Sequence, residues 1–149
     1  MIDNLDFYTY LENYCKENKI FFIPGPEDYQ NAVADEDYYK DFDLILCSDL
    51  TLTPNFYDEE GTVTYNGTIA LGRKREITDD EETESSLDET FKQKYSRRLH
   101  DLIEMLYNLL NEIRCDADAE ILSCTMSYSI NRFDLNADFV VANISIQFI

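Results

Sequence analysis

The sequence predicts an α+β fold: a single, mostly antiparallel sheet covered on one face by two helices, in the order α-β-β-β-α-β-β. Three observations carry that expectation. The chain opens on an amphipathic segment, blocks of two-residue alternation follow in the middle and at the end, and between them runs a leucine stripe with three- and four-residue steps. A chain of 149 residues buries one core rather than two, so one domain over 1–149 is expected.

The first helix is expected over residues 3–18. Phe7, Leu11, Tyr14 and Cys15 stand there at the i, i+4, i+7 and i+8 positions of one helical face, and Asp3 is placed to cap the first turn. Residues 19–23, KIFFI, are β-branched and aromatic and run into Pro24-Gly25-Pro26, the pattern of a strand cut off by a turn. Residues 27–41 mix acids with Tyr29, Tyr38 and Tyr39 without a period and read as a loop. Phe42, Leu44 and Leu46 then alternate with Asp43, Ile45 and Cys47, giving a strand, and a further extended stretch over 51–56 has Pro54 at an edge or bend. Over 62–75 the alternation runs through Val63, Tyr65, Ile69 and Leu71. Asn66-Gly67 is able to close a hairpin, but the alternation continues past it, so one long strand with a bulge is expected.

Residues 79–89, DDEETESSLDE, hold seven acids and almost no apolar side chain. They bury too little surface to offset the entropy lost on ordering, and a mobile acidic loop over about 78–89 is expected. After it, Leu99, Leu102, Ile103, Leu106, Leu109, Leu110 and Ile113 recur at helical steps, predicting a helix from about residue 87 or 90 to 113. Residues 120–132 and 137–149 read as a closing pair of strands. In the last of them Ile144, Ile146 and Phe148 point one way, and Asn143, Ser145 and Gln147 the other.

Charge narrows the function. With 12 Lys and Arg against 31 Asp and Glu, the net charge of −19 disfavours wrapping nucleic acid, which depends on neutralising phosphates and releasing their counterions. No stretch approaches the roughly 20 apolar residues that span a bilayer, and the opening MIDNLDFYTY lacks the basic and apolar parts of a secretion signal, so a soluble chain made in the cytosol is expected. The bases concentrate in two islands, Arg73-Lys74-Arg75 and residues 92–98. Lys94, Arg97 and Arg98 lie three and four residues apart, so they share a helix face. That patch reads either as ordinary helix solubility or as an interface meeting the acidic surface of a neighbouring copy; a head-to-tail contact of that kind closes into a ring.

Signs of an enzyme are missing. The single histidine, His100, stands next to Asp101 in the expected helix, where consecutive side chains diverge, and no nucleophile elbow, Walker loop or dinucleotide fingerprint occurs. Cys15, Cys47, Cys115 and Cys124 form no C-x-x-C pair and are expected as buried free thiols. The acid pairs Asp41-x-Asp43 and Asp116-x-Asp118 and the run 79–82 lack the glycine-bearing calcium-loop pattern and read as solvated surface. No catalytic residue, cofactor or metal is expected.

One resemblance covers most of the chain. The helix, KIFFI, the acidic Tyr-rich stretch ADEDYYKDFDLILCSD, the strand TVTYNGTIALGRKRE, an acidic gap, the helix FKQKYSRRLHDLIEMLYNLL and the ending SINRFDLNADFVVANISIQFI resemble, in order and texture, the small tail-terminator and head-tail connector proteins of tailed bacteriophages, in the form found in phages of Bacteroidetes. The most family-like piece is Asn131-Arg132-Phe133-Asp134-Leu135-Asn136 leading into the last strand. The resemblance implies a structural protein of the virion, assembled in the host cytoplasm. It would form a sixfold or twelvefold ring at the neck or tail end, bound to other neck, portal or tail proteins, with no membrane contact. DNA would pass through its bore without specific binding. It carries over no active-site residues. On that expectation Arg73, Lys74, Arg75, Lys94, Arg97 and Arg98 lie at the subunit interface. Asp35, Glu36, Asp37, Asp41, Asp43, Asp79, Asp80, Glu81, Glu82 and Glu84 line a bore that repels phosphates. The alternative is an acidic inhibitor that mimics DNA. Mimicry needs phosphate-like spacing on a rigid surface, whereas seven acids fall in the expected mobile loop.

Overall fold

The computed structural model describes residues 4–25, 42–56, 59, 61–74, 99–116, 119–132 and 137–148. The elements are α1 (Asn4–Glu17), β1 (Ile20–Pro24), β2 (Leu44–Pro54), β3 (Val63–Lys74), α2 (His100–Asp116), β4 (Ala119–Arg132) and β5 (Ala137–Phe148). They form one five-stranded sheet in the order β1-β2-β3-β5-β4, with β1 and β2 parallel and every other pair antiparallel. The α+β class and the element order are those the sequence predicts.

Helix α1 forms because its buried positions, Phe7, Leu11 and Cys15, repeat every four residues. It ends where the Asn18 N–H and Nδ2 both donate to the Tyr14 carbonyl (3.1 and 2.9 Å) and Lys19 takes the left-handed φ of 57° that turns the chain into β1. Strand β1 stops at Pro24, after which the Gly25 N–H donates to the Ser48 carbonyl at 2.8 Å. The two extended stretches expected at 42–47 and 51–56 are one strand. The polar pair Ser48-Asp49 breaks the apolar pattern but not the ladder, which runs unbroken from Leu44↔Arg73 to Pro54↔Val63. Beyond it the Asn55 Nδ2 donates to the Thr62 hydroxyl (2.9 Å) and closes the β2–β3 end.

Strand β3 carries no bulge at Asn66-Gly67. Its register is continuous with both β2 and β5, and Gly67 absorbs the local distortion with a φ of 149°. The bulges sit in β4, between Ile121 and Ser123 and between Ser129 and Arg132. Helix α2 begins at His100, where the leucine stripe begins, with the Leu99 carbonyl accepting the Ile103 N–H at 3.0 Å, and it runs past Ile113 to Asp116. The earlier part of the helix expected from 87 or 90, the Asp3 cap and the loops expected at 27–41 and 78–89 lie outside the described residues.

One core joins both helices to one sheet face. Phe7 and Leu11 of α1 and the stripe from Leu99 to Ile113 meet Leu46, Leu50, Val63, Tyr65, Ile69, Leu71, Val140, Ala142, Ile144, Ile146 and Phe148. Each such large side chain contributes about 1.5–3 kcal/mol through burial. The opposite face is not bare, as an alternating pattern alone implies. Ile23, Ile45, Cys47, Ala70 and Phe139 are buried there as a second, smaller cluster. The unbroken apolar run LILC at the start of β2 is the sequence mark of a strand covered on both sides.

The cysteines divide evenly. Cys15 and Cys47 are buried free thiols, while Cys115 and Cys124 are exposed, since they lie on the last turn of α2 and on the sheet edge. Burial, with smaller contributions from Cys47 and Glu12, pushes the Cys15 thiol up to about 12. The unfolded chain then releases this proton more readily than the folded one. The stabilisation is complete below pH 9 and lost as pH climbs from 9 towards 12, by at most about 4 kcal/mol. Urea midpoints measured across that range are expected to fall, and Cys15→Val to flatten the fall. A thiol reagent at pH 8 is expected to label two cysteines at once and the other two only in denaturant.

Candidate assembly interface

Charge is distributed against the usual logic of a sheet. Residues 61–72 and 139–149 contain no charged side chain, as suits β3 and β5 in the sheet interior. Residues 20–26 and 121–131 contain none either, yet they supply the two edge strands β1 and β4. Edge strands present unpaired N–H and C=O groups, and natural proteins guard them with charge, proline or bulges. Between its two bulges β4 has none of these guards. Leu122 is 50% and Tyr128 42% exposed, and Ser123, Cys124, Thr125 and Ser127 are exposed as well. After the Leu122 bulge, Cys124, Met126 and Tyr128 pair with Ile144, Ala142 and Val140, which places them on the helix-covered face.

The other edge is shaped differently. Because the Gly25 N–H points to β2, alternation sends the backbone groups of Ile23 and Phe21 the same way and those of Phe22 and Ile20 outward. Pro24 also faces outward, where a missing N–H costs the ladder nothing. Beside this edge lies an apolar groove of about 700 Å³ between α1 and β1, walled by Tyr8, Cys15, Ile20, Phe21, Phe22 and Phe42. The Tyr8 hydroxyl accepts a hydrogen bond from the Leu50 N–H (3.3 Å), which anchors that wall to β2. Lys16 and Lys19 stand at the rim, with Lys16 Nζ 3.1 Å from the Glu12 carboxylate.

Away from the second cluster, the face opposite the helices is polar. Cross-strand rows run Thr53-Thr64-Gln147-Glu120, Thr51-Asn66-Ser145-Ser123 and Asp49-Thr68-Asn143-Thr125. Of these twelve positions only Asp49 and Glu120 are acidic.

Of the residues expected at an interface, Arg73 is placed in detail. It stands one residue before the end of β3, between two acids of its own chain, with Nε 4.0 Å from Asp43 Oδ2 and Nη1 3.7 Å from Asp101 Oδ2. Both acids are largely exposed, so each pair contributes little energy. Lys74 closes the same strand opposite Ala137. Arg75, Lys94, Arg97 and Arg98 lie outside the described residues. Among the acids expected in a bore, Asp43 is the one described, exposed and facing Arg73; Asp35, Glu36, Asp37, Asp41, Asp79, Asp80, Glu81, Glu82 and Glu84 lie outside. In the first turns of α2 the ligand-type atoms of His100, Asp101 and Glu104 come within 4.8 Å of one another, all exposed. That span is wider than a hydrogen bond, and Asp101 also faces Arg73.

That β1 and β4 are the edges of the described sheet does not follow from the sequence alone. The charge-free run 121–131 in a chain with 29% charged residues was the available signal. No helix among the described residues is long and apolar enough to cross a membrane. Compared with known proteins, the chain matches no family model, no curated protein and no solved structure.

Proposed function

We propose that the protein is a structural component of a tailed-phage virion, forming a ring at the neck or tail end that joins or terminates the tail and lets DNA pass. The observation that carries this reading is the charge-free run 121–131 of the edge strand β4 on a chain of net charge −19. Copies so acidic repel one another, and they associate where the approaching surfaces carry no carboxylates. Two edges of different shape, neither of them paired among the described residues, favour a head-to-tail contact over a two-fold one, and head-to-tail contacts close into rings. The order and texture of the elements add the phage context. Acids between Asp35 and Asp43 and between Asp79 and Glu84 then face the passing DNA and keep it from sticking. The nearly neutral polar sheet face weighs against DNA mimicry, because a mimic needs a rigid array of carboxylates.

Gel filtration with light scattering is expected to give a closed oligomer that fails to retain duplex DNA at physiological salt. Its assembly is expected to strengthen between 0.01 and 1 M salt, as the screening length falls from about 30 to about 3 Å. Mass spectrometry of purified virions is expected to detect the chain. A protein that stays monomeric under all conditions and is missing from virions defeats the proposal.

A further inference from the structure

We propose that the subunit contact is a strand addition: β4 of one copy pairs antiparallel with the edge of β1 that no described strand covers in the next, and its side chains enter the groove beside β1. This rests on the reading that copies associate head to tail, and it names the surfaces involved.

Strand polarity permits it. Since β1 is parallel to β2 and the pairs β2–β3, β3–β5 and β5–β4 are antiparallel, β4 runs opposite to β1. A sheet continued from one copy into the next therefore joins the two edges as an antiparallel ladder. Side-chain facing agrees as well. Cys124, Met126 and Tyr128 lie on the helix-covered face, the same face on which Tyr8, Cys15 and Phe22 wall the groove. An added strand thus brings Met126, partly packed on its own core, and Tyr128 beside an apolar volume of about 700 Å³ that the described residues of β1 and α1 do not fill. Backbone bonds supply affinity in strand addition and side-chain pockets supply register.

Charge agrees too. Residues 20–26 of the one edge and 121–131 of the other carry no carboxylate, and at the groove rim, where Glu12 pairs with Lys16, Lys19 adds a base that attracts an acidic neighbour. Pairing of β4 with itself leaves the β1 edge and the groove open, and it makes a two-fold dimer that does not close a ring.

Disulfide capture between separately made proteins tests the contact. In a Cys15→Val, Cys115→Ser, Cys124→Ser background, which clears the groove wall of its own thiol, one protein carries Phe22→Cys and a second carries Met126→Cys, Tyr128→Cys or the restored Cys124. With oxidised glutathione, covalent dimers are expected in at least one mixture and in neither protein alone. Because Phe22→Cys removes an aromatic ring, Thr125→Lys serves as an independent arm. Thr125 is exposed on β4, so the far-ultraviolet circular dichroism is expected to stay unchanged while association weakens by at least about tenfold, from a charge placed on a pairing edge. Cross-linking of a β4 cysteine protein with itself overturns the proposal in favour of two-fold pairing. An oligomer that shows no cross-link in any mixture and is insensitive to Thr125→Lys overturns this contact but leaves the ring intact. A monomer at every concentration overturns both.

Discussion

Gly67→Ala is expected to destabilise the fold by roughly 3 kcal/mol or more, read as a fall in the urea midpoint at unchanged m-value. Gly67 sits mid-strand in β3, paired with Leu50 on one side and Ile144 on the other. Its φ of 149° is open to glycine and disfavoured for every L side chain. A methyl group there collides with the Asp49 carbonyl oxygen, backbone that the β2–β3 ladder holds in place. Gly72 supplies the contrast. A Cβ there meets the Phe139 ring at 2.5 Å, but that obstacle is a side chain. Gly72→Ala is therefore expected to be partly rescued by Phe139→Ala, so that the two costs fall short of additive. No side-chain truncation has an equivalent effect on Gly67. A cost below about 1 kcal/mol for Gly67→Ala contradicts the close approach of β2 and β3.

Local period made the elements legible, and non-local pairing supplied what the sequence left out. The four-residue repeat Phe7, Leu11, Cys15 and the stripe from Leu99 to Ile113 announce helices because one face of each is buried without interruption. The alternation of Ile144, Ile146 and Phe148 announces β5 for the same reason. Ser48 and Asp49 look like a break in β2, since a polar pair interrupts the pattern, while the ladder that holds them comes from Ile69 and Thr68 in another strand. The expected bulge at Asn66-Gly67 was misplaced because a turn-forming pair also serves a strand that needs a residue without Cβ. The charge-free run 121–131 was readable, but its meaning depended on the sheet order that puts β4 at the rim and β5 inside. Arg73 shows the same limit. Its basic island suggests an outward role, and the fold sets it between Asp43, just before β2, and Asp101 of α2.

Phe148→Ala is expected to cost about 3–5 kcal/mol, the range for truncating a buried aromatic side chain. In a chain of this size that lowers the melting temperature by roughly 10 °C. Phe148 is 1% exposed and forms a triangle with Phe7 and Tyr65, with ring centroids 5.3 Å from Phe7, 5.2 Å from Tyr65 and 5.0 Å between those two. The Phe148–Tyr65 rings meet edge on at 86°, and the Phe148–Phe7 rings at 65°, arrangements in which the positive rim of one ring faces the negative face of another. The triangle ties α1 to β3 and β5, two of the three interior strands, so its loss opens a cavity and loosens a helix together. Phe148→Leu keeps most of the volume and is expected to cost markedly less. If the rings act as a unit, Phe7→Leu and Phe148→Leu combined depart from additivity by about 0.5–1.5 kcal/mol. Strict additivity makes each ring an independent contributor of buried area, and the attachment of α1 then rests on Leu11 and Cys15 as much as on Phe7.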